Sequence, residues 1–299
     1  MRWTSLLTVT LTTAFGVICC DSFFFLITNR GLRHNYLLHA NQEGRTHNWN
    51  HEPFDFSSRV GWDNFYKEGN QSDEESSLEE LEYEWHSNIA HSVIVNAIAP
   101  TIDAAFKYYA AADNNELPSI ILVGTGNSAL PRILHDAFDT PVRVTCLDYS
   151  PVCVEMIQKM YSDICPNMDF VLGDATRLKH AVNNSKYDVI VDKGLLDALM
   201  CGEGFDSDLE KLMVGVDEVL TRHEWGMSIL ICFELSKSNR KFLVELADRG
   251  ESHNTTLLWD FDIPVGSENG RATFNLARRC ALTEENRIIN IDHMITDWK

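Results

Sequence analysis

Two glycines mark the place where this sequence could hold a nucleotide-like ligand. Gly124 and Gly126 follow an apolar run in IILVGTGNSAL, and a run with helical spacing begins at Ala129. Glycine has no Cβ, so it lets the chain turn tightly and lets a ligand approach the backbone. The pattern predicts a strand, a ligand-binding turn and a helix, although a plain strand-to-helix turn has the same pattern.

Acidic residues follow the next two predicted strands. Asp148 ends VRVTCLD, and Asp174 lies in FVLGDAT just before Ala175. A carboxylate at the end of the second strand can accept hydrogen bonds from both hydroxyls of a ribose. The second acid can accept from an adenine amine, and the alanine leaves room for the ring. Two such acids favour S-adenosylmethionine over a dinucleotide, and acidic surroundings tolerate its sulfonium charge.

The fourth predicted strand ends with two charged residues, which are Asp192 and Lys193 in YDVIVDKGLLDAL. The carboxyl ends of parallel strands meet at one edge of an open sheet, so both residues should share a crevice with the acids of the second and third strands. We expect them near the mouth through which an acceptor enters. A surface salt bridge for Lys193 and a capping role for Asp192 are the structural alternatives.

Strands and helices alternate along the chain after residue 118. This order predicts an α/β, Rossmann-like fold, a mostly parallel seven-stranded sheet with helices on both faces. An amphipathic helix at Ile89–Tyr109 precedes the sheet, and Pro100 is expected to break or kink it. The predicted strands are Ile120–Val123, Val142–Leu147, Asp169–Leu172, Tyr187–Val191, Met227–Phe233, Thr255–Phe261 and Ala272–Leu276, and the predicted helices between them are Ala129–Phe138, Val152–Tyr161, Leu209–Leu220 and Lys237–Ala247.

The N-terminal segment differs from the rest of the chain. It is poor in acids, and its apolar, Thr-rich run up to Cys20 is typical of a signal peptide or a transit peptide. We therefore assign residues 1–50 to a leader or disordered extension and residues 51–299 to one domain. A leader would direct the protein to the secretory pathway or an organelle. A signal anchor that continues through Phe25 is the alternative, although Asp21 interrupts the apolar run; apart from this segment, no membrane contact is expected.

Charge and cysteine content exclude some classes of protein. The formal net charge of −19 argues against binding to nucleic acid, whose phosphates require Lys and Arg. Eight acids and no base lie between Glu68 and Glu84, which indicates a solvated face or loop, or a collar that attracts a basic substrate. The eight cysteines form no CxxC or zinc pattern, so we expect buried thiols in a reducing compartment and no metal site.

Several motifs together resemble a known family. LVGTGNSAL, LDYSPVCVEMI, GDATRL and VDKGLLDAL are similar to class I, seven-β-strand, S-adenosylmethionine-dependent methyltransferases. Within that class they resemble the group of elongation factor 1A lysine methyltransferase 4 and methyltransferase-like 13. GWDNFY and YEWH resemble two further elements of this group, so the resemblance covers about Trp62 to Leu199. The DKGxLDA run is the most specific of these motifs.

The resemblance implies a cytoplasmic enzyme that uses S-adenosylmethionine and modifies an acceptor lysine of a protein, with elongation factor 1A as one candidate. A methyltransferase for a small metabolite and a Rossmann-like module that binds without catalysis are the alternatives. His86 stands where the group carries an aromatic residue, and the sequence nominates no strong general base. The cofactor contacts that the resemblance implies are Trp62, Tyr66 and Tyr83 over the methionine end and ribose, Gly124 at the methionine part, Asp148 and Tyr149 at the ribose and adenine, Asp174 and Ala175 at the adenine, and Lys193 at the mouth.

Overall fold

The computed structural model describes residues 55–69, 78–112, 115–248, 255–264 and 272–281, and the backbone of two short N-terminal strands. The chain forms two compact units, Met1–Phe54 and Asp55–Lys299. In the first unit, β1 (Cys19–Cys20) pairs antiparallel with β2 (Phe23–Phe24), and the rest of the predicted leader lies outside the described residues. No helix in the described part of the chain is long and apolar enough to cross a membrane.

A seven-stranded sheet organises the second unit. Its strand order is β5-β4-β3-β6-β7-β9-β8, in which the first five strands run parallel and β9 runs antiparallel to both β7 and β8. This topology confirms the predicted α/β fold and the seven strands. The strands are β3 (Ser119–Val123), β4 (Arg143–Asp148), β5 (Met168–Leu172), β6 (Val189–Lys193), β7 (Met227–Phe233), β8 (Thr255–Asp260) and β9 (Ala272–Ala281).

Helices connect and cover these strands. The four predicted inter-strand helices are confirmed to within a few residues, while α1, α2, α6 and α7 have no counterpart in the sequence prediction. The helices are α1 (Arg59–Gly69), α2 (Leu78–Leu81), α3 (His91–Ala111), α4 (Leu130–Asp136), α5 (Pro151–Tyr161), α6 (Leu178–Ala181), α7 (Leu195–Met200), α8 (Phe205–Val219) and α9 (Lys237–Asp248), with a 3-10 turn at Ala175–Arg177.

Helix α3 continues through Pro100, so the predicted break is wrong. Proline removes one backbone hydrogen bond and disturbs the preceding turn. The apolar face on both sides of it, at Ile94, Ile98 and Ile102, is completely buried. Packing of that face contributes more than the single lost hydrogen bond, which explains why the helix persists.

The central strands are buried along almost their whole length. Every residue of β3 is buried, as are the five residues of β4 that follow Arg143. Burial of successive residues, whose side chains point to opposite faces, means that the parallel strands are covered on both sides. The C-terminal ends of the parallel strands lie together on one side of the sheet, which we call the carboxyl edge; Gly124, Asp148, Asp174 and Lys193 lie there. The opposite edge, at Ser119, Asp188 and Met227, is the amino edge.

Candidate functional site

The turn after β3 requires glycine at both predicted positions. Gly124 and Gly126 have φ angles of +63° and +60°, in the left-handed region that L side chains rarely adopt. A Cβ on Gly124 would lie 2.9 Å from Leu195 Cβ, and one on Gly126 would lie 3.2 Å from Tyr66 Oη. The turn is therefore the tight strand-to-helix turn that the sequence predicts, and protein side chains pack closely against it.

Asp148 is tied directly to this turn. It is the last residue of β4, is 4% exposed, and its Oδ2 accepts a hydrogen bond of 3.0 Å from the Gly126 N–H. Its Oδ1 accepts one of 2.9 Å from the Ser150 N–H. Burial raises the pKa of Asp148 and the two backbone donors oppose that rise. The Cys153 thiol and the Tyr149 N–H also hydrogen-bond this carboxylate, so several donors of the protein hold it at the end of β4.

An aromatic cluster covers this side of the carboxyl edge; it comprises Phe56, Trp62, Phe65, Tyr66, Tyr83 and Trp85. Trp62 stacks on Tyr66 with ring centroids 5.9 Å apart, and Tyr83 meets Trp85 edge to face at 5.2 Å. The Tyr83 N–H donates a 3.1 Å hydrogen bond to the Asn127 carbonyl, which fixes the cluster to the glycine turn. The structure thus brings the three predicted aromatic residues together.

Tyr66 connects the aromatic cluster to Asp148. Its side chain is buried, and burial raises its pKa well above the ordinary value, with Cys153 and Asp148 adding to the rise. The phenol therefore keeps its proton at all physiological pH values and remains a hydrogen-bond donor. Tyr66 and Asp148 each hydrogen-bond the Cys153 thiol, so this thiol links the aromatic cluster to the carboxylate.

Acidic residues surround Tyr149, the residue after Asp148. Burial raises its pKa above the ordinary value, and Asp148, Asp55, Asp63 and Asp174 increase it further. This part of the carboxyl edge is therefore rich in negative charge.

Asp174 lies on the rim and is exposed. Its Oδ1 accepts from the Thr176 N–H at 2.8 Å and from Thr176 Oγ1 at 2.7 Å, while no hydrogen bond of its Oδ2 is found among the described residues. The neighbouring Ala175 is buried. Asp174 and Ala175, which the sequence predicts to contact adenine, thus lie just after the end of β5.

Lys193 is held by a carboxylate that the sequence reasoning missed. Its side chain is 7% exposed, and Nζ donates to Oε2 of Glu84. Glu84 Oε1 also accepts from Ser128 Oγ at 2.8 Å and from the Ala129 N–H at 2.7 Å. Burial alone would raise the pKa of Glu84, but hydrogen bonds and charge from His91 and Lys193 outweigh it and lower the pKa to about 2.

The last acids of the acidic run are therefore not solvated. Glu82 accepts from Arg132 Nη2 at 3.1 Å and from Tyr161 Oη at 3.0 Å, and Glu84 is paired with Lys193. The prediction of a solvated face or loop is wrong for these two residues. The signal that could have found Glu84 is Lys193 itself, because a lysine in a buried strand requires a nearby acid.

Asp192 and Asp197 occupy the turn after β6. Asp192 Oδ1 accepts from the Leu195 N–H at 2.9 Å and the Leu196 N–H at 3.3 Å, which starts α7. Its buried Oδ2 has no hydrogen-bond partner among the described residues. Burial, with Asp197 adding to it, raises the pKa of Asp192 to about 8. Asp197 Oδ2 lies 2.7 Å from Nε2 of His86.

The described cysteines are all free thiols. Four of them, Cys146, Cys153, Cys165 and Cys232, are buried as predicted. Cys201 is exposed, which is contrary to the prediction, because it lies just after α7 at the surface.

Comparisons with known proteins agree with the motifs. No protein-family model matches the chain. It is 35% identical over 104 residues to the eEF1A lysine and N-terminal methyltransferase of Xenopus laevis, covering 34% of this chain and 14% of that protein. It is 35% identical over 85 residues to EEF1A lysine methyltransferase 4 of Mus musculus, covering 28% of this chain and 31% of that protein.

These relatives confirm the resemblance that the motifs predict, and the matched part spans less than a third of the length of either protein. Among solved structures, the magnesium protoporphyrin IX methyltransferase of Synechocystis PCC 6803, solved with bound S-adenosylmethionine, has a TM-score of 0.38 and 15% identity. That match covers 67% of this chain and 86% of the other.

Proposed function

We propose that this protein is an S-adenosylmethionine-dependent methyltransferase that methylates a lysine side chain of a protein. The observation that carries the proposal is the buried carboxylate of Asp148, which is fixed to the glycine turn by the Gly126 N–H and linked to Tyr66 of the aromatic cluster through the Cys153 thiol. A buried acid at the end of the second parallel strand lies where a ribose diol binds in sheets of this kind. The 35% identical relatives, which are methyltransferases by name, support the same reading.

The residues at the carboxyl edge fit the cofactor. Asp148 would hold the ribose, Asp174 and Ala175 the adenine, and the turn at Gly124 the methionine part. The acidic surroundings of Tyr149 suit a ligand that carries a sulfonium charge. When bound, S-adenosylmethionine supplies a methyl group on a positively charged sulfur, which is already a good leaving group.

The protein then contributes orientation and exclusion of water rather than covalent catalysis. The aromatic cluster lies against the glycine turn and supplies apolar walls from which water is excluded. Both left-handed glycines and the hydrogen bonds to Asp148 make the cradle rigid before a ligand arrives. Such preorganisation lowers the entropic barrier for aligning an acceptor nitrogen with the methyl carbon.

A protein lysine is the acceptor that the relatives and the charge favour. Both relatives are named for lysine methylation of eEF1A, which makes elongation factor 1A the first acceptor to test. The formal net charge of −19 attracts a basic segment, and an aromatic mouth favours a neutral amine over an ammonium ion.

The test is incubation of the purified protein with tritiated S-adenosylmethionine and either purified elongation factor 1A or a cell protein extract. We expect label in protein, at a lysine identified by mass spectrometry. Asp148→Asn should abolish the label, and Asp206→Ala, at an exposed acid on α8, is the matched control. Label only in small molecules would rule out a protein acceptor, and no label together with no cofactor binding would rule out methyl transfer.

A further inference from the structure

We infer that His86 and Asp197 form a proton-accepting pair at the acceptor end of the site, in which His86 removes the proton from the acceptor lysine. The inference rests on the proposed function, because a lysine must become a neutral amine before it can accept a methyl group.

The geometry of the pair is that of a base and the group that orients it. His86 Nε2 lies 2.7 Å from Asp197 Oδ2, and their side chains are only 5% and 17% exposed. A carboxylate only accepts, so Nε2 carries the hydrogen and Nδ1 holds the lone pair. Asp197 Oδ1 is fixed in turn by the Phe233 N–H at 3.1 Å. The ring of Phe233 meets the imidazole edge to face at 4.8 Å.

One short segment, Gly194 and Leu195, contacts both the imidazole of His86 and the glycine turn. A Cβ on Gly194 would lie 3.6 Å from both Nε2 and Cδ2 of His86. The next residue, Leu195, packs over Gly124, where the methionine part of the cofactor is predicted. The turn after β6 therefore touches the imidazole on one side and the cofactor cradle on the other. His86 also has a φ of +53°, a left-handed backbone of the kind that collects at functional sites.

The charges around the pair favour this role. The titratable groups coupled to Asp197 are Asp192, Cys201 and Cys232, and Lys193 is neutralised by Glu84. Burial raises the pKa of Asp192 to about 8 and raises the pKa of Cys232 well above its ordinary value. Cys201 is exposed as a residue, but partial burial of its thiol raises the pKa to about 11. All three groups are mainly protonated at neutral pH, so none adds a competing negative charge beside the pair.

The proton transfer balances without a further reagent. One N–H bond of the lysine ammonium breaks, and the proton forms a new bond to His86 Nδ1. The lysine nitrogen keeps the electron pair and becomes a neutral amine. The resulting imidazolium is stabilised by the Asp197 carboxylate and later releases its proton to water.

A pH profile separates this role from a structural one. Asparagine tolerates the left-handed backbone at position 86, so His86→Asn removes the imidazole with little strain. We measure incorporation of tritiated methyl groups into extract protein from pH 6 to pH 10. At pH 7 we expect His86→Asn to be about 10²-fold slower than the wild type. The deficit should shrink as pH rises toward about 10.4, where free lysine loses its own proton.

A second His–Asp contact supplies the matched control. His135 Nδ1 lies 2.6 Å from Asp136 Oδ1, and the two residues are neighbours in sequence on α4. His135→Asn should keep the wild-type rate and profile. Asp197→Asn retains an acceptor for the Phe233 N–H and should slow transfer by about 10-fold at pH 7. In the free protein, ¹⁵N NMR should show the Nε2–H tautomer of His86, and Asp197→Asn should weaken that preference.

The outcomes are distinct. No incorporation by the wild type would overturn the proposed function itself. An active wild type with a His86→Asn variant that is slower by one factor at every pH, or that binds S-adenosylmethionine more weakly by calorimetry, would overturn the proton-accepting role. If His86→Asn does not fold by circular dichroism, Asp197→Asn with an unchanged pH profile would overturn it as well.

Discussion

Two buried aspartates near the opposite ends of β6 have very different surroundings. Asp188, at the amino edge, accepts from the Ser119 N–H at 2.9 Å, Ser119 Oγ at 3.0 Å, Tyr109 Oη at 2.9 Å and Trp225 Nε1 at 3.0 Å. Asp192, at the carboxyl edge, accepts only two N–H groups on one oxygen, and its other oxygen has no partner among the described residues.

The difference indicates a structural role for the aspartate near the start of β6 and a different role for the aspartate near its end. A buried carboxylate whose positions are all filled fastens α3, β3 and the segment before β7 together, and this favours a structural role. A buried carboxylate with unfilled capacity is poorly stabilised by the protein alone. Asp192 belongs to this second kind, and it lies at the edge where open parallel sheets bind ligands.

The largest effect should come from the amino edge. Asp188→Asn places an NH₂ group among donors, so we expect a loss of about 3 kcal/mol in the free energy of unfolding, measured with urea. Affinity of the folded variant for S-adenosylmethionine should stay within about twofold, because no change reaches the carboxyl edge. If Asp188→Asn were as stable as the wild type, Asp188 would not have the structural role that distinguishes it from Asp192.

The second effect concerns the buried ion pair between Glu84 and Lys193 at the carboxyl edge. Glu84→Gln leaves the Lys193 ammonium buried without its carboxylate, and we expect a loss of about 2 kcal/mol at pH 7. The folded pKa of Glu84 is lowered to about 2, so this stabilisation is present above its unfolded pKa and disappears as pH falls toward 2. Thermal unfolding of both proteins at several pH values measures the difference.

Glu84→Gln combined with Lys193→Met is the control, because it removes both charges and should recover part of the loss. A difference from the wild type that does not change between pH 5 and pH 2 would show that the Glu84 charge is not responsible.

The third effect depends on pH and concerns Asp192→Asn. The folded pKa of about 8 lies above the unfolded value, so wild-type stability from this group falls as pH rises from about 4 to 8. Asparagine does not titrate and can still accept from the Leu195 and Leu196 N–H groups. The stability of the variant relative to the wild type should therefore rise between pH 4 and pH 8, because only the wild type loses stability over that range. Equal stability at both pH values would contradict a raised pKa for Asp192.

The sequence predicts the sheet well because its strands are buried on both faces. The β7 boundaries are predicted without error, and β3 to within one residue, since apolar runs end where burial ends. The predicted fourth strand, Tyr187–Val191, lies two residues too early. That shift separates the two aspartates, because Asp188 precedes β6 and Asp192 belongs to its end.

Site residues that lie at the end of a single strand can be predicted from the sequence. Contacts between segments that are distant in the sequence cannot. Asp148 and the glycine turn follow from the motif at each strand end. The contacts of Glu84 with Lys193 and of His86 with Asp197 depend on how residues 82–90 lie across the carboxyl edge. Hydrophobic periodicity does not indicate where this segment lies relative to the sheet, so neither side-chain pair could be predicted from the spacing of residues in the sequence.

Calorimetric titration with S-adenosylmethionine tests most directly whether the carboxyl edge is the binding edge. The wild type and folded Asp188→Asn should bind with similar affinity. Asp148→Asn, checked for folding by circular dichroism, should bind at least about tenfold more weakly, a difference of 1.4 kcal/mol. No binding by the wild type, or equal binding by Asp148→Asn, would contradict the assignment of this edge.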